Sequence, residues 1–272
     1  MAKQGEIDYI KWIGEEGARH ALGKPFSDEV CGRYLMDMGA IMTLLPKWPQ
    51  ARILDIGVGT GWTSVFMAKR GYEVVGQDIA PDMINLANEN KALYHVEDHV
   101  TFIVGDFETL PFANEFDAAL FYDSLHHAVD ERAALDKAYH ALKPDGACIT
   151  VEPGEGHSQD PVSQRVVAEF GVTEKDMPPH HIMRLGREIG FRRFAVYART
   201  YTPALLYDSE TPAPPPPPSP APTPGRVALV RDHLRAAWTT WRHGPPPSPT
   251  PAAPPLDPPV ALRASNIVVL YK

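Results

Sequence analysis

The stretch ILDIGVGTG, residues 53–61, decides the fold of this chain. An apolar run leads to Asp55, and three alternating glycines follow it before a helical segment. Because glycine has no side chain, the backbone can turn sharply there and a flat ligand can lie against it. The dinucleotide fingerprint Gly-x-Gly-x-x-Gly would place its third glycine where Trp62 stands. The glycine spacing therefore departs from the nicotinamide dinucleotide fingerprint.

Composition limits the class of protein. The chain has 272 residues, is 44% hydrophobic, and carries a net charge of −8. An acidic balance argues against a nucleic-acid partner, since such proteins usually carry a basic surface. The two cysteines, Cys31 and Cys148, form no disulfide framework or metal-site spacing. Residues 1–17 contain no apolar signal core. We expect a cytoplasmic protein.

Periodicity divides the chain into four parts. Residues 1–50 are predicted to form an N-terminal helical cap. Residues 51–202 alternate short apolar strands with helices, which predicts an α/β core around a mostly parallel sheet. Of the 29 prolines, 19 lie between residues 203 and 259, so residues 203–260 are predicted to be a proline-rich insertion. Residues 261–272 are predicted to contain a final core strand.

Within the insertion, residues 226–243 predict one amphipathic helix with two tryptophans and several arginines. Three interpretations stay open. The helix covers a face of its own domain, forms a dimer contact, or makes a peripheral contact with a membrane surface. The oligomeric state cannot be read from the sequence.

The glycine stretch, with its leading Asp55, resembles motif I of the class I S-adenosylmethionine (SAM)-dependent methyltransferases. The resemblance covers about residues 50–200 and the last strand. It implies a Rossmann-like, doubly wound, seven-stranded sheet of order 3-2-1-4-5-7-6 in which strand 7 is antiparallel. The proline-rich segment would then lie between strands 6 and 7.

The resemblance also implies a set of cofactor-binding residues at the carboxyl ends of the strands. Asp55 would contact the aminoacyl end of SAM, Asp78 would accept the ribose hydroxyls, and Asp106 would accept the adenine amino group. Ile79 and Met83 are expected either to sandwich the adenine or to pack in the core. The full predicted set is Asp55, Gly57, Gly59, Gly61, Asp78, Ile79, Asp106, Phe107 and Asp123.

The sequence YDSLHH, residues 122–127, is similar to the small-molecule "type 11" methyltransferases, which include the ubiquinone and menaquinone enzymes. The amino-directed nucleic-acid motif Asn/Asp-Pro-Pro-Tyr is absent at this position. An imidazole there would face the methyl group and titrate near neutral pH. His126, His127, Glu152 and His157 are therefore the candidates for proton transfer or substrate contact. No ligand spacing demands a metal, and none is expected.

The sequence thus predicts a methyltransferase that uses SAM to methylate a small-molecule or carbohydrate acceptor at an oxygen atom. Two alternatives stay open. One is an NAD(P)-dependent oxidoreductase. The other is a catalytically silent methyltransferase-like scaffold whose proline-rich segment recruits domains that bind polyproline helices.

Overall fold

The computed structural model of this protein describes residues 2–199 and 262–272. The whole proline-rich insertion lies outside the described residues, and with it the predicted helix at 226–243 and its three interpretations. All of the described residues belong to one compact unit.

Seven α-helices and seven β-strands are found in the described ranges. The helices are α1 Ala2–Leu22, α2 Cys31–Leu44, α3 Trp62–Lys69, α4 Pro81–Leu93, α5 Glu131–Ala141, α6 Pro161–Phe170 and α7 Pro179–Ile189. The strands are β1 Arg52–Ile56, β2 Glu73–Asp78, β3 Val100–Val104, β4 Phe116–Tyr122, β5 Leu142–Val151, β6 Arg193–Tyr197 and β7 Ile267–Tyr271.

The strands form one sheet of order β3-β2-β1-β4-β5-β7-β6, which confirms the predicted topology. Strands β1 to β5 pair in parallel, whereas β7 lies antiparallel between β5 and β6. Parallel strands end at the same edge, so the residues after β1, β2, β4 and β5 meet along one side of the sheet. The crevice at this edge is where open α/β sheets bind ligands.

Each face of the sheet is covered by its own core. Leu54 and Ile56 pack on the side of α5 and α7, whereas Ile53 packs on the side of α2 and α3. Alternation along a strand sends neighbouring side chains to opposite faces, so a sheet buried on both sides needs a continuous apolar strand. This explains why β1 and β4 are almost wholly apolar.

The N-terminal helices pack on this unit rather than extend from it. Helix α1, which kinks at Gly14, lies against α4 and α6. Helix α6 was not predicted from the sequence. No helix among the described residues is both long and apolar enough to cross a membrane.

A buried ion pair joins helix α2 to the edge of the sheet. Asp37 is fully buried, and its carboxylate accepts from Arg199 Nε at 2.9 Å and from the Tyr122 hydroxyl at 2.9 Å. Arg199 also donates to Ser265 Oγ, directly before β7. The pair therefore connects three segments that are distant in sequence.

Removal of the Asp37 charge should destabilise the fold. In Asp37→Asn the half-buried guanidinium of Arg199 loses its counter-ion, and breaking such a pair from one side costs about 3 kcal/mol. Urea unfolding measures the loss. The matched control is Arg165→Ala, which breaks the exposed pair with Glu169 and should cost less than about 0.5 kcal/mol. Equal unfolding free energies for the two variants would contradict a structural role for Asp37.

Candidate active site

The glycine turn after β1 forms one wall of a cleft at the carboxyl edge of the sheet. Gly57 has a φ of 72°, and a Cβ there would lie 2.5 Å from the Cβ of Ser124. A Cβ on Gly61 would lie 2.5 Å from the ring of Phe102. Glycine is therefore required for close packing at both positions, whereas Gly59 has open space beside its Cα.

Asp55 lies beneath this turn, and it lines neither of the two cavities described below. One of its oxygens accepts from Thr63 Oγ1 at 2.7 Å and from Ser64 Oγ at 2.6 Å, which ties β1 to the start of α3. Burial raises its pKa to about 6, although these two hydrogen bonds oppose the shift. Contact of Asp55 with the cofactor stays a prediction.

Asp78, at the end of β2, faces the cleft. Its Oδ2 accepts from the backbone N–H of Gly59 at 2.8 Å, and its Oδ1 accepts from that of Ala80 at 2.9 Å. Ala80, not Asp78, is the N-cap of helix α4, and no side chain makes a capping hydrogen bond to that helix. Burial raises the pKa of Asp78, and the two N–H donors oppose that rise. Each oxygen keeps a lone pair for a hydroxyl donor.

Asp106, at the end of β3, is held from two sides. Its Oδ1 accepts from the N–H of Glu108 at 2.9 Å, and its Oδ2 pairs with Lys3 Nζ at 2.5 Å. Lys3 also contacts Glu108 at 2.7 Å, so helix α1 is anchored across the mouth of the cleft. Phe107 packs edge-on against Phe121 and lines the cleft.

Glu152, at the end of β5, organises the loop after β4. It is 1% exposed. Its carboxylate accepts from the N–H groups of Ser124, Leu125 and His126 at 2.8–3.3 Å and from His126 Nδ1 at 2.8 Å. These donors occupy the carboxylate, so Glu152 positions His126 and does not itself reach an acceptor.

Three histidines and two further carboxylates meet above this loop. His157 Nε2 lies 2.6 Å from Glu174 Oε2, and His126 Nε2 lies 3.5 Å from the same oxygen. His127 Nδ1 lies 2.7 Å from the carbonyl of Thr173 and 3.4 Å from Glu6 Oε1.

Burial by itself would lower the pKa of His127, but Glu6 and the nearby carboxylate of Glu174 raise it to about 9. His127 is therefore a cation at neutral pH. A protonated imidazole cannot accept a proton, so His127 is a poor candidate for a general base in this state.

Two cavities open along this edge. The first, of about 400 Å³, is bounded by the glycine turn, the ends of β2 and β3, helix α1 and the histidines. The second, of about 570 Å³, lies beside the ends of β4 and β5. Asp123 and His157 line both. Asp123 has a left-handed backbone with φ of 55°, which directs the chain out of β4 at this boundary.

The structure brings most of the predicted site residues to one cleft. Those that line the first cavity are Gly57, Gly59, Asp78, Ile79, Met83, Asp106, Phe107, Asp123, His126, His127 and His157. Asp55, Gly61 and Glu152 lie beneath it. Sequence reasoning missed Lys3, Glu6 and Tyr9 on α1, and also Glu174, all of which line this cavity. Only the i, i+3 spacing of Lys3, Glu6 and Tyr9 hinted at a shared helix face.

Comparison with known proteins finds similarities for part of this chain. Residues 53–146 match the family described as "Methyltransferase domain". A demethylmenaquinone methyltransferase of Thermus thermophilus is 34% identical over 116 residues, which cover 42% of this chain and 51% of the relative. Residues 53–146 are thus a methyltransferase domain. Both this domain and the strand order remove the support for an NAD(P)-dependent oxidoreductase.

A second relative is named a ubiquinone/menaquinone biosynthesis C-methyltransferase, from Nitrobacter hamburgensis. This protein is 31% identical over 129 residues, which cover 44% of this chain and 51% of the relative. The chain thus spans about half the length of the curated relatives it matches.

The fold of this chain also resembles solved structures. The phosphoethanolamine N-methyltransferase 2 of Haemonchus contortus, solved in complex with S-adenosyl-L-methionine, has a TM-score of 0.60 and 17% identity. The match covers 100% of this chain and 59% of that one. At this identity the likeness concerns the fold alone.

The raised pKa of Asp55 predicts a pH-dependent stability difference. The carboxyl of Asp55 has a pKa of about 6 in the folded protein and of 3.8 in the unfolded chain. Between pH 3.8 and about pH 6, the folded protein therefore binds more protons at this carboxyl than the unfolded chain does. The contribution of Asp55 is therefore lost as pH rises through this window. Relative to Asp55→Asn, the protein should lose about 3 kcal/mol of unfolding free energy between pH 4 and 7.

Denaturant unfolding of both proteins across this pH range measures the difference. The comparison with the variant cancels the titration of other groups. A difference that does not change with pH would contradict the burial of an ionisable Asp55.

Proposed function

We propose that this protein transfers the methyl group of SAM to a hydroxyl oxygen of a small polar molecule. The observation that carries the proposal is the pair of adjoining cavities. The first has the glycine turn, Asp78 and Asp106 around it, and the second meets it at Asp123 and His157. A cofactor in one cavity and an acceptor in the other would share this boundary.

The cofactor pose follows from the chemistry of the walls. The open space beside Gly59 suits the aminoacyl end of SAM. Asp78 keeps lone pairs for the two ribose hydroxyls. The adenine would lie between Ile79 and Met83 on one side and Phe107 on the other, because apolar side chains favour an aromatic ring. Asp106 would then share its carboxylate between Lys3 and the adenine amino group.

The acceptor cavity is polar. Charged side chains of Arg33, Glu155, Asp160 and Arg199 line it, together with Ser265. Arg33, Glu155 and Asp160 are exposed and Arg199 is partly buried, and a charged lining of this kind favours ligands that can return its hydrogen bonds. This lining supports a hydroxylated acceptor, a class of molecules that includes carbohydrates.

We assign His157 as the general base that accepts the proton of the acceptor hydroxyl. A carboxylate only accepts hydrogen bonds, so the nitrogen 2.6 Å from Glu174 carries the proton of the neutral ring. That leaves the lone pair on Nδ1. In the reaction the acceptor oxygen forms a bond to the methyl carbon while the carbon–sulfur bond breaks. The hydroxyl proton passes to His157 Nδ1, and the sulfonium becomes the neutral thioether of S-adenosylhomocysteine.

Little further chemistry is required of the protein, because the methyl group of a sulfonium is already activated. The site must align oxygen, carbon and sulfur and exclude water. Such orientation contributes roughly 7–11 kcal/mol in favourable cases. The single boundary between the two cavities is the feature that would impose this alignment.

A quinone is the second candidate acceptor, methylated at carbon, because the two relatives are named for demethylmenaquinone and ubiquinone/menaquinone. A lipophilic ring fits the charged second cavity poorly. Incubation with labelled SAM and separate panels of hydroxylated molecules and demethylated quinones distinguishes the two. We expect label in the first panel. Label in the quinones alone would contradict the proposed acceptor, and no transfer to either panel would favour the silent scaffold.

Asp78→Ala should weaken SAM binding by about 10- to 100-fold, because hydrogen bonds to a charged group contribute about 1.5–3 kcal/mol. Isothermal titration calorimetry with SAM measures the affinity. Asp136→Ala on α5 is the control, since Asp136 lines neither cavity. An unchanged affinity in Asp78→Ala would remove the cofactor pose.

His157→Gln should lower kcat for a hydroxylated acceptor by about 10²-fold, which is the usual contribution of a general base. Its affinity for SAM should stay within a few-fold of the unaltered protein. Steady-state kinetics and calorimetry separate the two effects. His140→Gln, on the exposed surface of α5, is the matched control. If His157→Gln keeps the kcat of the unaltered protein, a group other than His157 accepts the proton of the acceptor hydroxyl.

A further inference from the structure

We propose that His126, His127 and Glu174 bind one divalent transition-metal ion of the Zn²⁺ class. One ligand atom from each of these side chains lies within 4.8 Å of the others. All three line the first cavity. Two imidazoles and one carboxylate form a donor set that binds borderline metals such as zinc.

The hydrogen bonds of the two histidines prepare them as ligands. His126 Nδ1 faces Glu152 at 2.8 Å, and His127 Nδ1 faces the carbonyl of Thr173 at 2.7 Å. Both partners only accept, so in each neutral ring the proton is assigned to Nδ1. The lone pair therefore lies on Nε2 in both rings. Metal-binding histidines usually have this arrangement, with the second nitrogen donating to a carboxylate or carbonyl.

The distances also suit a metal. His126 Nε2 and Glu174 Oε2 are 3.5 Å apart. Two ligand atoms of a tetrahedral site with bonds of about 2.1 Å lie about 3.4 Å apart. Glu174 is held in turn by His157 at 2.6 Å, so each of the three ligands has an outer hydrogen-bond partner.

The cluster concentrates negative charge. Glu152 is buried, and Glu174 and Glu6 are partly buried, with 11% and 19% of their side chains exposed. Carboxylates withdrawn from water are stabilised by ion pairs or by a metal. A divalent ion that replaces the imidazole proton would supply positive charge at the centre of the cluster.

Three protein ligands leave a coordination position open, as in catalytic rather than structural zinc sites. This position would lie beside His157, at the boundary of the two cavities. If the proposed function is correct, the open position would take the acceptor oxygen and favour loss of its proton. Metal binding itself does not rest on that function.

The test is a titration of ZnCl₂ into the full chain, without an affinity tag and after treatment with EDTA, followed by calorimetry and metal analysis. We expect one equivalent of Zn²⁺. Glu174→Gln and His127→Gln should each weaken binding at least 100-fold. Glu152→Gln, which alters the outer partner of His126 and also the acceptor of three backbone N–H groups in the same loop, should weaken it by about 10- to 100-fold. His140→Gln should bind like the unaltered protein. Millimolar Mg²⁺ should not compete, because it prefers oxygen ligands.

Circular dichroism melts establish that each variant is folded. The proposal is overturned if the unaltered protein binds no Zn²⁺, if Mg²⁺ displaces Zn²⁺, or if folded Glu174→Gln and His127→Gln both bind Zn²⁺ with unchanged affinity. SAM titrations of the same samples keep the two proposals apart. Zinc binding without SAM binding contradicts the proposed function alone, and SAM binding without zinc contradicts the metal site alone.

Discussion

One buried carboxylate, Glu152, holds the candidate active site together. Four donors from the loop after β4 converge on it, three of them consecutive backbone N–H groups. A carboxylate that accepts from so many donors is stabilised even though it is inaccessible to water. Glu152 directly follows β5, and the loop that it holds directly follows β4. The interaction therefore fixes the ends of these two neighbouring strands relative to each other. His126, His127 and Asp123 take their positions from it.

The same loop is also locked to the glycine turn. Ser124 Oγ donates to the carbonyl of Ile56 at 2.7 Å, and its Cβ occupies the space that a side chain at Gly57 would need. Asp78 holds the other side of the turn through Gly59. The cofactor cavity is therefore built from the ends of β2, β1 and β4, which are neighbours in the sheet. Asp78 holds the turn after β1, and Glu152 holds the loop after β4. Asp55 contributes from below, through α3, and this explains why an acid stands there although it lines no described cavity.

The sequence predicted the parts of this structure that local patterns determine. The apolar strands, the glycine turn and the acids at the ends of β2 and β3 are short-range features, and the last strand completes the predicted sheet order. Lys3, Glu6 and Glu174 were missed because only tertiary packing brings them to the cleft. Helix α1 folds back from the N-terminus, and Glu174 lies in an irregular segment after α6. The cluster of histidines and carboxylates follows from these long-range contacts, so no spacing along the chain could reveal it.

The central claim is that a sulfonium nucleoside occupies the cleft between the glycine turn and Phe107. A crystal structure of the protein with S-adenosylhomocysteine tests this most directly. The account predicts the ribose hydroxyls on Asp78, the adenine beside Ile79 and Phe107, and the thioether sulfur directed towards Asp123 and His157. A nucleoside bound elsewhere, or one in this cleft with its sulfur directed away from the second cavity, would contradict it.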